Sequence, residues 1–284
     1  MPLYYLSLGL FYLALKIPYF TNTNPVFDIR HFDSSIYFLT FTQNLYFAYN
    51  GWGVTDILNH FWSLAIEEQF YLFWPFLIYF LDVKRVLWVA LVFIIISLII
   101  RYFNTFSDYS YVFTLARIDA LSIGSVLAVA IRHYREILNR IALPLFVIAS
   151  CILLVILFQT QDLHFRNPYL VRFGYTLFAI FFASIIAFAY DTNRTGAVAN
   201  RVLSLGPLVF FGKYSYGIYV YHWLLYKGAY LYLEAKYRLP NTAIIPFLVI
   251  VVAISVISYH CFEKHFLVFK SRFEPKAEGV VARG

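Results

Sequence analysis

Apolar residues run in eight long stretches, roughly 2–20, 61–81, 86–102, 112–131, 142–158, 169–190, 207–232 and 243–262, separated by short polar loops. A helix needs about 17–25 apolar residues to cross the hydrocarbon core of a bilayer. The pattern predicts an all-α, polytopic membrane bundle of about eight spanning helices. A ninth segment, 34–49, is shorter and carries Thr40, Thr42, Gln43 and Asn44. It reads as a re-entrant or interfacial piece, and hydropathy leaves open whether it spans.

Loop charge orients these helices, because Lys and Arg are retained on the cytoplasmic side. Lys84 and Arg85 follow the second long run; Arg132, Arg135 and Arg140 follow the fourth. Arg194, Arg201 and Lys213 follow the sixth, and Lys264, Lys270, Arg272, Lys276 and Arg283 the last. These alternate loops share one side, while Arg30, Arg166, Lys236 and Arg238 fall on the other. The expected protein is therefore a multi-pass component of the plasma (bacterial inner) membrane with its C-terminus in the cytoplasm. With eight helices the N-terminus is inside as well.

Composition strengthens this picture. Of 284 residues, 62% are hydrophobic and 13% charged, about half the charged fraction of a soluble domain. Aromatics make up 21%, more than lipid-facing surface requires, so some should line a cavity or the interface. The net charge of +7 sits in loops between apolar runs and does not suggest nucleic acid. Cys151 and Cys261 lie inside apolar segments and read as small buried residues, indicating neither a disulfide framework nor a metal site. No cleavable signal peptide is evident, since the first run lacks a basic n-region and a small-residue cleavage site.

The chemistry concentrates where charge is costly. Residues 60–75, HFWSLAIEEQFYLFWP, put Glu67 and Glu68 into an apolar span. A charge at the bilayer centre costs about 2.5–3.5 kcal/mol on insertion scales, so ionisable groups there are functional by default. His60, Ser63, Glu67 and Tyr71 recur at spacings of a helical face, while Phe61, Leu64, Leu72 and Phe76 are left for lipid or neighbouring helices. In ARIDALSIGSVLA, Arg117 shares a face with Leu121 and Gly124, and Asp119 and Ser122 lie on another. An intramembrane arginine calls for an anion, either a carboxylate such as Glu67 or Glu68 or a group on a substrate. Gly124 and Ser125 read as small residues for close helix packing. In FGKYSYGIYVYHWLLY, Ser215, Tyr219, His222 and Tyr226 share a face, and the ordinary pKa of histidine suits His222 to proton transfer near neutrality. Gly206, Pro207 and Gly212 suggest a bent or broken start to that helix. The predicted orientation brings His60, Glu67 and Glu68, then Arg117 and Asp119, then His222 to similar depth from three helices, as a site requires. No P-loop, GxGxxG, HExxH, Cys cluster, GxSxG or internal repeat is present.

His60 to Pro75, the RIDALxxG block from Arg117 to Gly124 and the SYGIYxxHW block from Ser215 to Trp223 occur in that order. Together they resemble the type 3 family of integral-membrane acyltransferases, whose bacterial members O-acylate surface polysaccharides, peptidoglycan and lipid-linked sugars. The resemblance covers essentially the whole chain. It implies a transmembrane acyltransferase domain over 1–266 and a basic cytoplasmic tail over 267–284. The opening MPLYYLSL resembles the family's third helix. The two helices that ordinarily precede it, with a basic residue and a histidine thought to be the catalytic base, have no counterpart here. A truncated chain without activity is therefore one expectation.

The resemblance further implies transfer of an acetyl or other short acyl group from acyl-CoA to a hydroxyl of a cell-surface or lipid-linked carbohydrate, with no bound cofactor. Glu67, Glu68, Arg117 and His222 are the expected catalytic residues. His60, Trp62, Ser63, Tyr71, Asp119, Ser215 and Tyr219 are expected to bind substrate. The alternative is a multi-pass transporter or flippase for a sugar or lipid-linked substrate, which would move its substrate unmodified.

Overall fold

The turn between residues 80 and 86 shows how local chemistry ends one helix and starts the next. Leu81 leaves the helical region (φ −112°, ψ 144°), and the extended Asp82 then accepts a hydrogen bond from the Arg85 amide at 2.8 Å. This N-cap satisfies a donor that would otherwise be unpartnered. A computed structural model of the chain describes residues 2–17, 34–51, 56–162, 164–190, 194–238 and 240–273. The described residues are helical and contain no strand.

In chain order the helices are α1 (Pro2–Ala14), α2 (Ser35–Leu39), α3 (Gln43–Asn50), α4 (Trp62–Phe80), α5 (Val83–Phe103), α6 (Thr114–His133), α7 (Arg135–Thr160), α8 (Tyr175–Tyr190), α9 (Arg194–Leu203), α10 (Gly206–Leu225), α11 (Leu231–Tyr237), α12 (Ile244–Ser258) and α13 (Lys264–Ser271). A 3₁₀ turn (Asp56–Phe61) precedes α4, and a single helical turn (Tyr109–Val112) precedes α6. Wide π turns at Leu170–Gly174, Tyr226–Tyr230 and Tyr259–Glu263 carry extra residues into α8, α11 and α13.

Five segments are long and apolar enough to cross a membrane: Val83–Phe103, Tyr109–His133, Arg135–Thr160, Leu170–Tyr190 and Asn241–Lys270. The expected count of about eight is therefore not reached on length and apolarity among the described residues. The reasons are local. The run expected at 2–20 is helical only over 13 residues, and 18–33 lie outside the described residues. Glu67, Glu68 and Gln69 lower the mean hydropathy of α4, and Lys213, His222 and a series of tyrosines do the same for α10. Segment 34–49 resolves into two helices of 5 and 8 residues, each too short to span. Phe41 joins them with φ 53°, a left-handed conformation that costs a bulky side chain energy.

The chain divides into two units: a central one (Asp33–Val54 and Asn59–Val209) and a terminal one (Met1–Phe32, Thr55–Leu58 and Phe210–Gly284). In the central unit Phe70 and Trp74 of α4 pack with Val86 and Ala90 of α5 and Ile118 of α6. A second cluster joins Leu127 of α6, Leu138 and Ala142 of α7 and Ala187 of α8. Pro75 and Pro144 sit inside α4 and α7, each omitting one backbone hydrogen bond from a helix that continues past it.

In the terminal unit, a Cβ placed on Gly217 of α10 would lie 3.1 Å from the Ser255 Cβ of α12, so the missing side chain permits close packing. The broken start expected at Gly206–Pro207 is not found. Pro207 occupies the first turn of an uninterrupted α10, where the absent N–H costs nothing. Cys151 and Cys261 are both exposed, not buried as expected. In a bundle surrounded by lipid, an outward face is an apolar place.

Candidate active site

The site residues of the central unit are carried by α4, α6 and the start of α8. Ser63 and Glu67 are half-buried on α4, Tyr71 is exposed one turn further on, and His60 sits in the preceding 3₁₀ turn. Glu68 is half-buried beside Glu67. Phe61 and Leu64 are buried, and Leu72 and Phe76 face outward. Ser63, Glu67 and Tyr71 thus follow one another along α4, while His60 belongs to the turn before it.

Arg117 is the centre of the second feature. Its guanidinium lies over the Tyr175 ring at 3.8 Å and at 5.7 Å from each of the Trp62 and Tyr111 rings. Trp62 and Tyr111 are 4.8 Å apart, and the Tyr175 hydroxyl donates to the Phe165 carbonyl at 2.6 Å, which holds that ring in place. A delocalised, weakly hydrated cation is well held by such faces. Of the two partners the sequence allows, a carboxylate or a substrate group, the ion pair to Glu67 or Glu68 is not formed; among the described residues Arg117 makes no ion pair. Its Nη1 is buried with no hydrogen-bond partner. A buried N–H without a partner costs about 1–3 kcal/mol, so this atom is a donor prepared for an anionic or carbonyl oxygen.

Asp119 does something other than expected. Its Oδ2 accepts from Arg101 Nη2 at 2.8 Å and from the Thr176 hydroxyl at 2.5 Å. Arg101 also donates through Nη1 to the Ala116 carbonyl at 2.6 Å. Side chains of both ions are almost completely inaccessible, at 0% and 1%. This network joins α5, α6 and α8 and grips α6 at Ala116 and Asp119, on either side of Arg117. Sequence reasoning missed Arg101 because it stands at the end of an apolar run, where an arginine reads as interfacial. The available signal was the charge itself, within one turn of the end of the IIISLIIRYF stretch.

A third network explains the polar residues of segment 34–49. Gln69, next to the carboxylates, donates from Nε2 to the Phe41 carbonyl at 2.7 Å and to Asn44 Oδ1 at 2.9 Å. It accepts from the Thr114 hydroxyl at 2.5 Å, while Asn44 donates to that hydroxyl and to the Val112 carbonyl. Gln43 donates to the Phe61 carbonyl at 2.8 Å, at the start of α4. The strained link at Phe41 is thus held by the motif helix. Substituting Gln69 by leucine leaves these partners unsatisfied, and we expect the thermal midpoint of the purified protein to fall by the equivalent of about 1–3 kcal/mol. Gln69→Glu, which keeps the acceptor and loses the donor, should fall between the two; an unchanged midpoint in both variants contradicts the role.

Ser215, Tyr219 and His222 belong to the terminal unit. Ser215 is exposed and donates to the Gly212 carbonyl at 2.9 Å. His222 is half-buried, and its Nδ1 lies 2.6 Å from the Tyr219 carbonyl and 3.2 Å from that of Ile218. Carbonyls only accept, so the proton of the neutral ring resides on Nδ1 and the basic lone pair on Nε2. Trp223, next in sequence, donates to the Asp56 carbonyl at 2.7 Å, and Lys227 pairs with the Asp56 carboxylate at 2.6 Å.

A family profile described as "Acyltransferase domain" matches residues 3–260. O-acetyltransferase OatA of Staphylococcus aureus strain NCTC 8325 is 27% identical over 247 residues, which is 80% of this chain and 39% of that protein. Peptidoglycan O-acetyltransferase OatA of Listeria monocytogenes strain EGD-e is 29% identical over 187 residues, 62% of this chain and 30% of that protein. The chain thus spans about two fifths or less of the length of these relatives. No solved structure matches it. The profile does not favour the transporter reading.

Proposed function

The chain belongs to the type 3 acyltransferase family, and from that premise we propose that it is a membrane O-acyltransferase moving an acetyl or other short acyl group from acyl-CoA to a carbohydrate hydroxyl. The relatives named O-acetyltransferase and peptidoglycan O-acetyltransferase make an acetyl group and a cell-wall polymer the first choices. The observation that carries the reading is Arg117, a fixed guanidinium with a buried, unpartnered N–H, in contact with Trp62 of the motif that bears Glu67 and Glu68.

In the reaction, the acceptor oxygen attacks the thioester carbonyl. A C–O bond forms, the C–S bond breaks, and the hydroxyl proton passes through a base to the departing thiolate, giving CoA-SH. Glu67 or Glu68 orients the acceptor hydroxyl or the base that takes its proton. Arg117 donates to the tetrahedral oxyanion or to an anionic group of a substrate. His222, with its lone pair on Nε2, supplies a base or positions substrate; His60, Trp62, Ser63, Tyr71, Ser215 and Tyr219 shape substrate binding. Asp119, engaged by Arg101, acts by holding α6 in position.

We further assign α4 and the helix from α10 to α11 as additional spans, giving about eight crossings with α1, and a cytoplasmic C-terminus. Lys264, Lys270 and Arg272 on or beside α13 support that orientation. The test is transfer of label from acetyl-CoA to a peptidoglycan fragment by the purified full chain in lipid. At least one of Glu67→Gln and Glu68→Gln should lower the initial rate by about 10²-fold or more, the scale of general acid–base catalysis. Unaltered transfer in both variants removes the carboxylates from the mechanism.

A further inference from the structure

The central unit contains a cavity of about 550 Å³ between α4, the start of α5 and α6. Its walls are Phe70, Trp74 and Ile78 of α4, Val86 of α5, and Leu121 and Val129 of α6. Between Leu121 and Val129 the α6 residues facing it, Gly124, Ser125 and Ala128, are small. A Cβ on Gly124 would meet nothing within 4 Å, so this glycine does not serve the close packing expected of it; it leaves room. The Ser125 hydroxyl is turned to the Leu121 carbonyl at 3.0 Å. One end, here called its mouth, is lined by Leu81 and by the exposed Arg132 and His133.

We propose that this groove holds one acyl chain of an anionic phospholipid of the surrounding bilayer, with the lipid phosphate at Arg132 and His133. Three observations converge. The first is length: from Tyr71 to the end of α4 at Phe80 the wall runs nine helical steps, about 14 Å at the helical rise, close to half of the roughly 30 Å hydrocarbon core. A groove of one leaflet's depth fits a leaflet's chain. The second is dryness. Apart from Ser125, already satisfied, the exposed Tyr71 at the deep end and the single indole N–H of Trp74, the side-chain walls above the mouth are hydrocarbon. A hydrocarbon chain needs no hydrogen-bonding partner, whereas a pantetheine arm would bring amides that pay for desolvation.

The third is charge. Arg132 and His133 are exposed at the mouth, and Arg132 has no ion-pair partner among the described residues. The neighbouring Arg85 is paired with Asp82 at 3.5 Å. A guanidinium and an imidazole at the membrane surface, above an apolar slot between helices, match a phosphodiester headgroup. Arg117 and Glu67 each lie one helical turn beyond the residues at the deep end, Leu121 and Tyr71. The lipid tail therefore ends beneath the candidate site and fills space that α4 and α6 do not close.

Native mass spectrometry of the full chain released from detergent tests this, using phosphatidylglycerol and phosphatidylcholine with identical acyl chains. We expect one retained phosphatidylglycerol, preferred by about fivefold or more, the scale of one basic side chain at an anionic surface. Arg132→Gln combined with His133→Gln should bring the two lipids to within about twofold. Gly124→Phe, which puts a ring into the open slot, should reduce retention of both lipids at an unchanged melting temperature. Equal retention by the native chain, or a preference that survives the double substitution, overturns the proposal. So does displacement of the bound lipid by acetyl-CoA in an Arg132-dependent manner, which would make the groove a donor channel. The readout requires no turnover, so an inactive chain that still selects phosphatidylglycerol sinks the proposed activity and not the lipid site.

Discussion

Arg101→Ala is expected to abolish a stably folded central unit. The substitution leaves the Asp119 carboxylate buried with only the Thr176 hydroxyl and removes the donor to the Ala116 carbonyl. Removing one member of a buried pair costs about 3–5 kcal/mol, a large part of the roughly 5–15 kcal/mol that keeps a domain folded. Asp119→Asn is milder, because its amide oxygen still accepts from Arg101, although the guanidinium loses its counter-charge. The double substitution Arg101→Met with Asp119→Leu should recover much of the loss, since apolar replacements of a buried pair are often neutral. Thermal unfolding in detergent and the fraction eluting as a single species in size-exclusion chromatography check this series. An Arg101→Ala protein as stable as the parent would show that the pair does not bind α5, α6 and α8 together.

Arg117 should behave in the opposite way, with activity lost and fold kept. It makes no ion pair among the described residues and is held by ring faces, so its removal strands no buried carboxylate. We expect Arg117→Ala to lower acetyl transfer by about 10²–10³-fold, the cost of deleting a donor to a developing oxyanion, with a melting temperature near that of the parent. Arg117→Lys should recover little, because an ammonium keeps the charge but not the planar stacking on Tyr175. Steady-state kinetics then separate the two roles offered for this side chain. A rise in KM at constant kcat identifies ground-state binding of an anion, whereas equal falls in kcat and kcat/KM identify transition-state stabilisation. Undiminished turnover in both variants excludes Arg117 from the chemistry.

The helical class and the polar face of α4 were legible because both depend on spacing within one segment. Glu67 and Tyr71 lie where a period of 3.6 puts them, and the lengths of α5 and α7 follow from their apolar runs. Partners between helices were not legible, because periodicity gives the face of a helix and not its neighbour. Spacing alone therefore does not reveal that Asp119 faces Arg101, and it leaves Arg117 to a carboxylate or a substrate group without showing the cradle of Trp62, Tyr111 and Tyr175. Segment 34–49 was ambiguous for the same reason. Its amides read as a weak span, whereas Gln43 and Asn44 bond to Phe61, Val112 and Thr114, as many as 70 residues away. The difference between five apolar segments and the eight expected has another origin: hydropathy penalises the residues that make α4 and α10 chemically interesting.

The π turn at Leu170–Gly174 sits immediately before Tyr175 and Thr176, the one carrying the Arg117 cradle and the other the Arg101 network. In a regular helix each residue advances the chain by about 100°, so a one-residue length change here would rotate both side chains off their targets at once. Insertions and deletions in this stretch should therefore be excluded even where substitutions of its outward residues, such as Phe173, are tolerated. Five residues act as the phase setting for the buried Arg101 and the half-buried Arg117.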